Sequence, residues 1–161
     1  DLQWVFIGPV HGQWFDEAAL RRHPNVHFLG LKQRAELPGY LKGLDVATIP
    51  YVRDRHTDAI YPLKLHEYFA AGRPVVATPL PSLRALPGLG DHLRLAADAP
   101  AFLAAVDAAL AGRDVGTAER LAHARRNAWP GRVADISALI QERLAAKAAL
   151  VTSPALEMST L

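Results

Sequence analysis

One stretch of the sequence decides the fold: Tyr61-Pro-Leu-Lys-Leu-His-Glu-Tyr-Phe-Ala-Ala-Gly-Arg-Pro-Val-Val-Ala-Thr78. It predicts a short helix that begins at Pro62, because the first helical position tolerates a residue without an N–H group. Gly72 is placed to end the helix in the left-handed conformation, and Pro74 prevents the helix from resuming. The apolar run Val75-Val-Ala77 then predicts a strand that is buried on both faces.

The segment before this stretch predicts the other half of a repeating unit. Residues 45–49 are an apolar run that indicates a buried strand, and a polar loop follows at residues 51–61. Strand, loop, helix and strand together make a βαβ crossover, the unit from which parallel sheets are built. Ligands of such sheets bind beyond the carboxyl ends of the strands. The loop and the start of the helix are therefore the predicted site.

The rest of the chain continues the alternation. Further strands are predicted at residues 3–7, 26–29 and 92–96, and helices at 14–22, 34–43, 98–110, 117–127 and 131–147. This order predicts a three-layer α/β fold, Rossmann-like, with a mainly parallel sheet of about five strands. We expect residues 1–148 to form one nucleotide-binding domain and residues 149–161 to form a C-terminal tail.

Two helix faces near the C-terminus carry expectations of their own. Apolar residues recur in the last predicted helix at a spacing typical of a core-facing stripe: Val133, Ile136, Ile140 and Leu144. The helix before it is basic, and its arginines are interpreted as a solvated face: Arg120, Arg125 and Arg126.

The helix that follows the 51–61 loop places polar groups on one face. Lys64, Glu67 and Tyr68 share that face, while Leu65 and Phe69 are expected to pack on the sheet. A first-turn lysine can bind phosphate, and a carboxylate one turn later can accept two hydrogen bonds from a diol. The alternative is an ordinary surface Lys–Glu pair at i, i+3.

These residues carry a resemblance to a known family. The pattern Pro62-x-Lys64-x-x-Glu67-Tyr68-x-Ala70-x-Gly72-x-Pro74-Val75-Val76-Ala77 resembles the nucleotide-sugar-binding signature of retaining GT-B glycosyltransferases, closest to a bacterial branch that builds surface polysaccharides. Three flanking segments are also similar to that family: Val26-His-Phe-Leu-Gly30, Glu36-Leu-Pro-Gly-Tyr-Leu41 and Asp45-Val-Ala-Thr-Ile-Pro50. The resemblance spans roughly the first half of the chain.

The resemblance implies roles for several positions. It implies that Glu67 holds the ribose of the donor and that Lys64 faces the diphosphate, together with the first turn at Pro62 and Leu63. It also implies that the backbone near Leu31 meets the base. It further implies that an acceptor-binding N-terminal domain and a first strand–helix unit precede this chain, and that a terminal helix crosses back toward that domain.

The glycine after the first predicted strand and its neighbour His11 are weaker candidates. Gly8 permits close approach of the backbone to a ligand, but a tight turn at a strand end also needs glycine. His11 lies beyond the same strand end, where a lone histidine is more often simply solvated.

The 51–61 loop is longer than the roughly two to six residues usual for a connection between a strand and a helix. Its basic side chains Arg53, Arg55 and His56 can bind a diphosphate or sugar hydroxyls, although a mobile charged surface loop is the alternative. One position departs from the family: Ala59 stands where many relatives carry a glutamate that contacts the donor sugar. Either the adjacent Asp58 substitutes, or this branch handles its donor sugar differently.

Composition excludes several classes of function. The chain has 161 residues and no cysteine, which excludes disulfides and thiolate metal sites. The net charge of +2 and the absence of any block of five like charges argue against a nucleic-acid surface. No apolar run reaches the ~18 residues that a membrane span needs. We expect a cytoplasmic protein, and the sequence pI of about 9.2 allows peripheral contact with the inner face of the membrane.

The resulting hypothesis is the donor-binding domain of a glycosyltransferase, of hexosyltransferase type, that uses a UDP- or GDP-sugar. Lys64, Arg53 and Arg55 would stabilise the leaving diphosphate without a metal or cofactor. The fragment alone would be inactive, because the resemblance puts the acceptor site on the upstream domain. Two alternatives stay open: a non-catalytic, Rossmann-like nucleotide-binding or regulatory module, and a structural domain whose basic helix contacts a partner or membrane.

Overall fold

Short strands and helices alternate along the chain, as the sequence predicts. The computed structural model describes residues 2–10 and 16–152. The strands are β1 Trp4–Phe6, β2 Val26–Phe28, β3 Ala47–Ile49, β4 Val75–Ala77 and β5 Leu93–Leu95. The helices are α1 Glu17–Arg21, α2 Leu37–Lys42, α3 Lys64–Ala70, α4 Pro81–Arg84, α5 Ala99–Ala111, α6 Thr117–Arg126 and α7 Trp129–Thr152.

All strand pairs are parallel, which confirms the predicted Rossmann-like α/β class. The strands form two hydrogen-bonded sheets with the orders β1-β2 and β3-β4-β5, rather than one sheet of five. Both sheets contribute to one apolar cluster on α5, where Trp4 and Val46 pack against a buried group made of Val76, Val106 and Ala109. The two sheets therefore share a core although no described strand pair joins them.

The directions of the backbone N–H and C=O groups show which sheet edges lack a partner strand. The N–H of Trp4 donates to Asn25 O at 2.8 Å and Phe6 O accepts from Leu29 at 2.9 Å, so Val5 between them faces away from β2. In the same way Ala47 donates to Pro74 O at 3.0 Å, and Thr48 faces away from β4. Among the described strands none pairs with either outer edge.

The core lies around β4 and α3. All three residues of β4 are completely buried, as predicted, and so are Leu65 and Phe69 on α3. Gly72 has φ +77°, and Arg73 donates to Tyr68 O while Gly72 donates to Phe69 O, both at 3.0 Å. These two bonds are the Schellman pattern that ends a helix at a left-handed glycine, so the predicted helix stop is confirmed.

The start of α3 corrects the sequence interpretation. The helix begins at Lys64, and Pro62 lies before it rather than at its first position. Leu65 donates to Pro62 O at 3.1 Å and His66 to Leu63 O at 3.0 Å, so the chain enters the helix through a tighter i to i−3 turn. Pro62 is buried in that turn, whereas Leu63 is 57 % exposed.

Two further boundaries and one burial prediction were wrong. We expected α1 to begin at residue 14, but Asp16 Oδ1 accepts from the Ala19 N–H at 2.8 Å and caps a helix that begins at Glu17. Residues 11–15, including His11, lie outside the described part of the chain. The first strand is shorter than predicted and is not buried, since Val5 is 36 % exposed on its unpartnered edge.

Helix α7 differs most from its prediction. It runs from Trp129 to Thr152, so it begins before residue 131 and includes residues 149–152, which we assigned to the tail. The predicted core stripe is wrong for the described residues, because each of its members is more than half exposed: Val133, Ile136, Ile140 and Leu144. The periodicity indicates an apolar face but does not identify what covers it.

Arg120 is buried rather than solvated. Only 1 % of it is exposed, and its guanidinium donates to Gly72 O at 2.8 Å, Val115 O at 2.7 Å and Arg113 O at 2.8 Å. Burial lowers the pKa of Arg120, and the charge of Arg73 lowers it further. Arg120 therefore ties α6 to the glycine that ends α3, while Arg125 and Arg126 are exposed as predicted.

Candidate functional site

The carboxyl ends of β3 and β4 position the candidate site. The 51–61 loop leaves β3 there, and Thr78 after β4 donates to Ile49 O at 3.0 Å. The loop is fixed at its far end as well, because the Ser82 hydroxyl on α4 donates to Ile60 O at 2.7 Å. Helix α3 follows the loop directly and carries the predicted polar face.

Lys64 and Glu67 are both exposed on α3 and remain available to a ligand. Neither side chain forms an ion pair within the described residues, so the alternative of a Lys–Glu surface pair is not realised. The Lys64 ammonium lies 5.8 Å from the centre of the Tyr51 ring, a cation–π contact that leaves its positive charge unpaired by a carboxylate.

Tyr68 lies next to Glu67 on α3 and is partly buried against the core. Burial raises the pKa of Tyr68, and the nearby carboxylate of Glu67 and hydroxyl of Tyr51 raise it further. Tyr51 also packs against the buried core that contains Leu65 and Phe69. The structure therefore brings Lys64, Glu67 and Tyr68 on α3 close to Tyr51, which follows the end of β3.

Arg53 and Asp58, both predicted as site residues, bind each other. Arg53 Nε lies 3.0 Å from Asp58 Oδ1 and its terminal nitrogen lies 3.0 Å from Oδ2, a bidentate pair on an exposed part of the loop. The hydrogen bond from Arg53 lowers the pKa of Asp58, and the same bond raises the pKa of Arg53. A ligand that uses either group must compete with this pair.

The tip of the loop has its own scaffold. Asp54 Oδ1 accepts from the N–H groups of His56 at 2.8 Å and Thr57 at 2.7 Å, and the Thr57 hydroxyl donates to Val52 O at 2.7 Å. The hydrogen bond from Thr57 is the main reason that the pKa of Asp54 is lowered. This turn presents the side chains of Arg55 and His56, which are exposed and form no ion pair with the described residues.

Gly8 and Leu31 lie at the end of the other sheet. Gly8 has φ +132° and donates to Gly30 O at 3.0 Å, which joins the ends of β1 and β2. Apart from its chain neighbours, no atom of the described residues lies within 4 Å of the position that a Cβ of Gly8 would take, and Leu31 is 78 % exposed. The predicted turn at the strand end is thus present, but no hydrogen bond of the described residues links this end to Lys64 or Glu67.

The sequence did not reveal a cluster of aromatic rings behind α3. The Tyr61 hydroxyl and His66 Nε2 are hydrogen-bonded at 2.8 Å, and the His66 ring stacks on His123 of α6 with centroids 5.6 Å apart. The sequence spacing of Tyr61 and His66 could have suggested their contact. The contribution of His123 comes from tertiary packing that no local pattern encodes.

The described residues offer neither a metal site nor a membrane span. No group of three or more histidine, cysteine, aspartate or glutamate side chains is arranged to hold a metal ion there. Nor does any described helix combine the length and apolar character that a membrane span requires.

Comparison with known proteins supplies the family. The chain is 38 % identical over 84 residues to a Bacillus subtilis (strain 168) protein assigned as the teichuronic acid biosynthesis glycosyltransferase TuaH. That alignment covers 51 % of this chain but only 21 % of the relative, so the chain spans about a fifth of that protein. Residues 1–112 match the family described as Glycosyl transferases group 1. The matched range includes β1 to β5 and the whole candidate site. The chain belongs to this family of glycosyltransferases.

Proposed function

We propose that this chain is the C-terminal, donor-binding domain of a retaining GT-B glycosyltransferase that transfers a hexose from a UDP- or GDP-sugar during synthesis of a surface polysaccharide. Family membership supports glycosyl transfer, and the similarity to a protein assigned to teichuronic acid biosynthesis supports polysaccharide synthesis as its context. The observation that carries the proposal is the pair Lys64 and Glu67, exposed on one helix face and not neutralising each other.

Glu67 is proposed to bind the ribose and Lys64 the diphosphate. A carboxylate has two acceptor oxygens and can receive hydrogen bonds from both hydroxyls of a ribose. The ammonium of Lys64 lies one turn earlier and supplies positive charge where a diphosphate would leave. Because α3 has only seven residues, the side-chain charge of Lys64 is expected to matter more than the helix dipole.

The loop is proposed to contact the diphosphate and sugar. Arg55 and His56 are exposed and form no ion pair within the described chain, so neither must break a salt bridge to approach the phosphate oxygens. Asp58, in place of the glutamate absent at Ala59, is proposed to contact the sugar hydroxyls, and Arg53 is proposed to exchange its bond with Asp58 for a contact with the diphosphate. The first turn at Pro62 and Leu63, the backbone at Leu31 and the turn at Gly8 complete the proposed donor contacts.

Charge neutralisation by side chains makes a metal unnecessary in this proposal. The nucleotide-sugar is a substrate, and the departing diphosphate is stabilised by Lys64, Arg53 and Arg55. We place the reaction on the cytoplasmic side of the membrane, with peripheral contact at its inner face, and we propose no nucleic-acid partner.

An upstream segment is proposed to supply both the acceptor domain and a strand between β1 and β3. Rossmann-type sheets have the strand order 3-2-1-4-5-6. In that order β2 and β1 take positions 3 and 2, and β3, β4 and β5 take positions 4, 5 and 6. Position 1 belongs to the proposed upstream strand, which would lie between Val5 on the edge of β1 and Thr48 on the edge of β3. The unpaired direction of both edges supports this order.

Cysteine cross-linking in the full-length protein tests the strand order. With one strand between them, residues 5 and 48 would lie about 10 Å apart, too far for a disulfide. The double variant Val5→Cys, Thr48→Cys should resist oxidation to a disulfide but react with a bismaleimide of about 10 Å. The control pair Val5→Cys, His27→Cys occupies registered positions on β1 and β2 and should oxidise. Rapid disulfide formation between residues 5 and 48 would contradict the proposed order.

Donor turnover tests the proposed function directly. The full-length protein should release UDP or GDP from one member of a panel of nucleotide-sugars. Glu67→Ala should raise KM, and Lys64→Ala should lower kcat by about 10- to 1000-fold, since it removes charge that stabilises the leaving group. The control Glu119→Ala alters an exposed carboxylate on α6 and should have no effect. Nucleotide binding without release from any donor would favour the non-catalytic module.

A further inference from the structure

A group of three rings connects the candidate loop, α3 and α6. Tyr61 ends the 51–61 loop, and its hydroxyl is hydrogen-bonded to His66 Nε2 at 2.8 Å. The His66 ring lies nearly parallel to that of His123, with an interplanar angle of 10° and centroids 5.6 Å apart. On its other side His123 meets the edge of the buried Phe69 ring at 5.3 Å. We call Tyr61, His66 and His123 the ring cluster.

The ring cluster sits immediately behind the proposed donor contacts. His66 lies on α3 between Lys64 and Glu67, and Tyr61 directly precedes the turn that leads into the helix. The hydrogen bond at 2.8 Å therefore fixes the end of the loop to the helix that carries both charged groups. Loss of this bond would remove the side-chain contact between the loop end and α3, while the bond from Ser82 to Ile60 O would still hold the main chain there.

Each histidine has one ring nitrogen without a hydrogen-bond partner. His66 Nδ1 and His123 Nε2 are buried and accept or donate no hydrogen bond among the described residues. A neutral imidazole can leave one nitrogen unpaired at moderate cost, whereas a protonated ring would bury an N–H that carries positive charge. The packing therefore suits two neutral rings.

The surrounding charges act in the same direction. Burial is the main cause that lowers the pKa of His66, followed by the charges of His123 on α6 and Arg132 on α7. Burial also lowers the pKa of His123, followed by Arg126, Arg132 and His92. Asn127 holds Arg132 near the rings, since its side-chain oxygen accepts from Arg132 at 2.9 Å. The groups that shift these two histidines are thus all cationic or neutral.

We propose that His66 is a positioning residue whose neutral form, stacked on His123, clamps the 51–61 loop to α3, so that the donor site is assembled at neutral pH and released in acid. This proposal deepens the proposed function and rests on it, because it assumes that the loop and α3 bind a nucleotide-sugar together. Protonation of either ring would place a charge beside its stacked neighbour and beside Arg132. The open arrangement, in which the rings are solvated, would then gain population.

The nucleotide affinity should follow that population. When only the clamped state binds, the apparent Kd rises in proportion to the loss of that state. For each proton that the open state binds more readily, Kd should rise by up to about tenfold per pH unit between the open-state pKa and the lower pKa of the clamped state. UDP or GDP, whichever binds at pH 7.5, should therefore bind more weakly at pH 5.5.

Three variants separate positioning from general stability. His66→Phe retains a ring for stacking but removes the titrating group and the Tyr61 partner, so affinity at pH 7.5 should fall and its dependence between pH 7.5 and 5.5 should flatten. His123→Phe should keep affinity at pH 7.5 and lose part of the pH dependence. Tyr61→Phe removes one hydroxyl only and should behave like His66→Phe without risk to folding. His23→Phe, which changes an exposed histidine, should keep the wild-type profile.

A readout without nucleotide keeps the clamp testable if the proposed function is wrong. NMR titration should show both imidazoles protonating below the usual pH range, and amides of residues 52–60 should lose protection from exchange over the same range. Failure of UDP and GDP to bind at pH 7.5 would contradict the proposed function but would leave these two signals unchanged. Imidazoles that titrate normally, or a nucleotide affinity with the same pH dependence in His66→Phe as in the wild type, would overturn the clamp.

Discussion

Replacement of Arg120 by methionine tests how the end of α3 is held in place. Methionine retains most of the length and apolar volume of the side chain but donates no hydrogen bond. The guanidinium of Arg120 bonds to three main-chain carbonyls, of which only Gly72 O lies in a buried residue. The carbonyls of Arg113 and Val115 belong to exposed residues and can bond water instead.

These contacts set the expected magnitude. One buried carbonyl left unpaired costs about 1–3 kcal/mol, and each charged hydrogen bond contributes about 1.5–3 kcal/mol net. Removal of a buried cation returns part of this, because its lowered pKa shows that burial disfavours the charge. The balance predicts that Arg120→Met lowers the free energy of unfolding by about 2–4 kcal/mol.

Urea unfolding followed by circular dichroism measures this change. The control Arg125→Met alters an exposed arginine of the same helix and should change the free energy of unfolding by less than about 0.5 kcal/mol. Equal effects of the two variants, or a loss below about 1 kcal/mol for Arg120→Met, would refute the role given to the buried guanidinium.

Two further predictions concern the same region. Gly72→Ala should destabilise the protein by about 1–2 kcal/mol in urea unfolding, because φ is +77° and the new Cβ would lie 3.0 Å from Thr117 Cγ2. The control Gly39→Ala, where no described atom crowds the new Cβ within α2, should be neutral or stabilising. A larger loss of stability for Gly39→Ala than for Gly72→Ala would contradict the Schellman stop. The lowered pKa values of His66 and His123 mean that the unfolded chain binds protons more readily, so stability should be full above about pH 6.5 and fall as the pH drops through the folded-state pKa values; urea midpoints that do not change between pH 7.5 and 5.5 would contradict this assignment.

Local chemistry made the centre of the fold predictable. Gly72 and Pro74 each have a conformational property that acts within a few residues, and the helix stop and the position of β4 followed from them. The exposed face of Lys64 and Glu67 likewise follows from helical spacing once Leu65 and Phe69 face the core. Such features depend on the backbone and on nearest neighbours, which a sequence displays directly.

Features that depend on distant packing could not be predicted. An arginine is rarely buried, and only the arrival of α6 beside Gly72 gives Arg120 its buried carbonyl partner, Gly72 O. The bidentate contact of Arg53 with Asp58 depends on how the loop turns, so sequence assigned both residues to a ligand without seeing that they bind each other. The apolar stripe of α7 gave the right secondary structure and the wrong environment, because periodicity carries no information about the covering surface.

Calorimetric titration is the most direct test of whether α3 carries the donor site. UDP, GDP and ADP would each be titrated into this chain, into Lys64→Ala and Glu67→Ala, and into the control Glu119→Ala. We expect that UDP or GDP binds, that Glu67→Ala and Lys64→Ala each weaken binding by about 1–3 kcal/mol, and that Glu119→Ala leaves it unchanged. Nucleotide binding that is the same in all four proteins would contradict the assignment of the site to this helix.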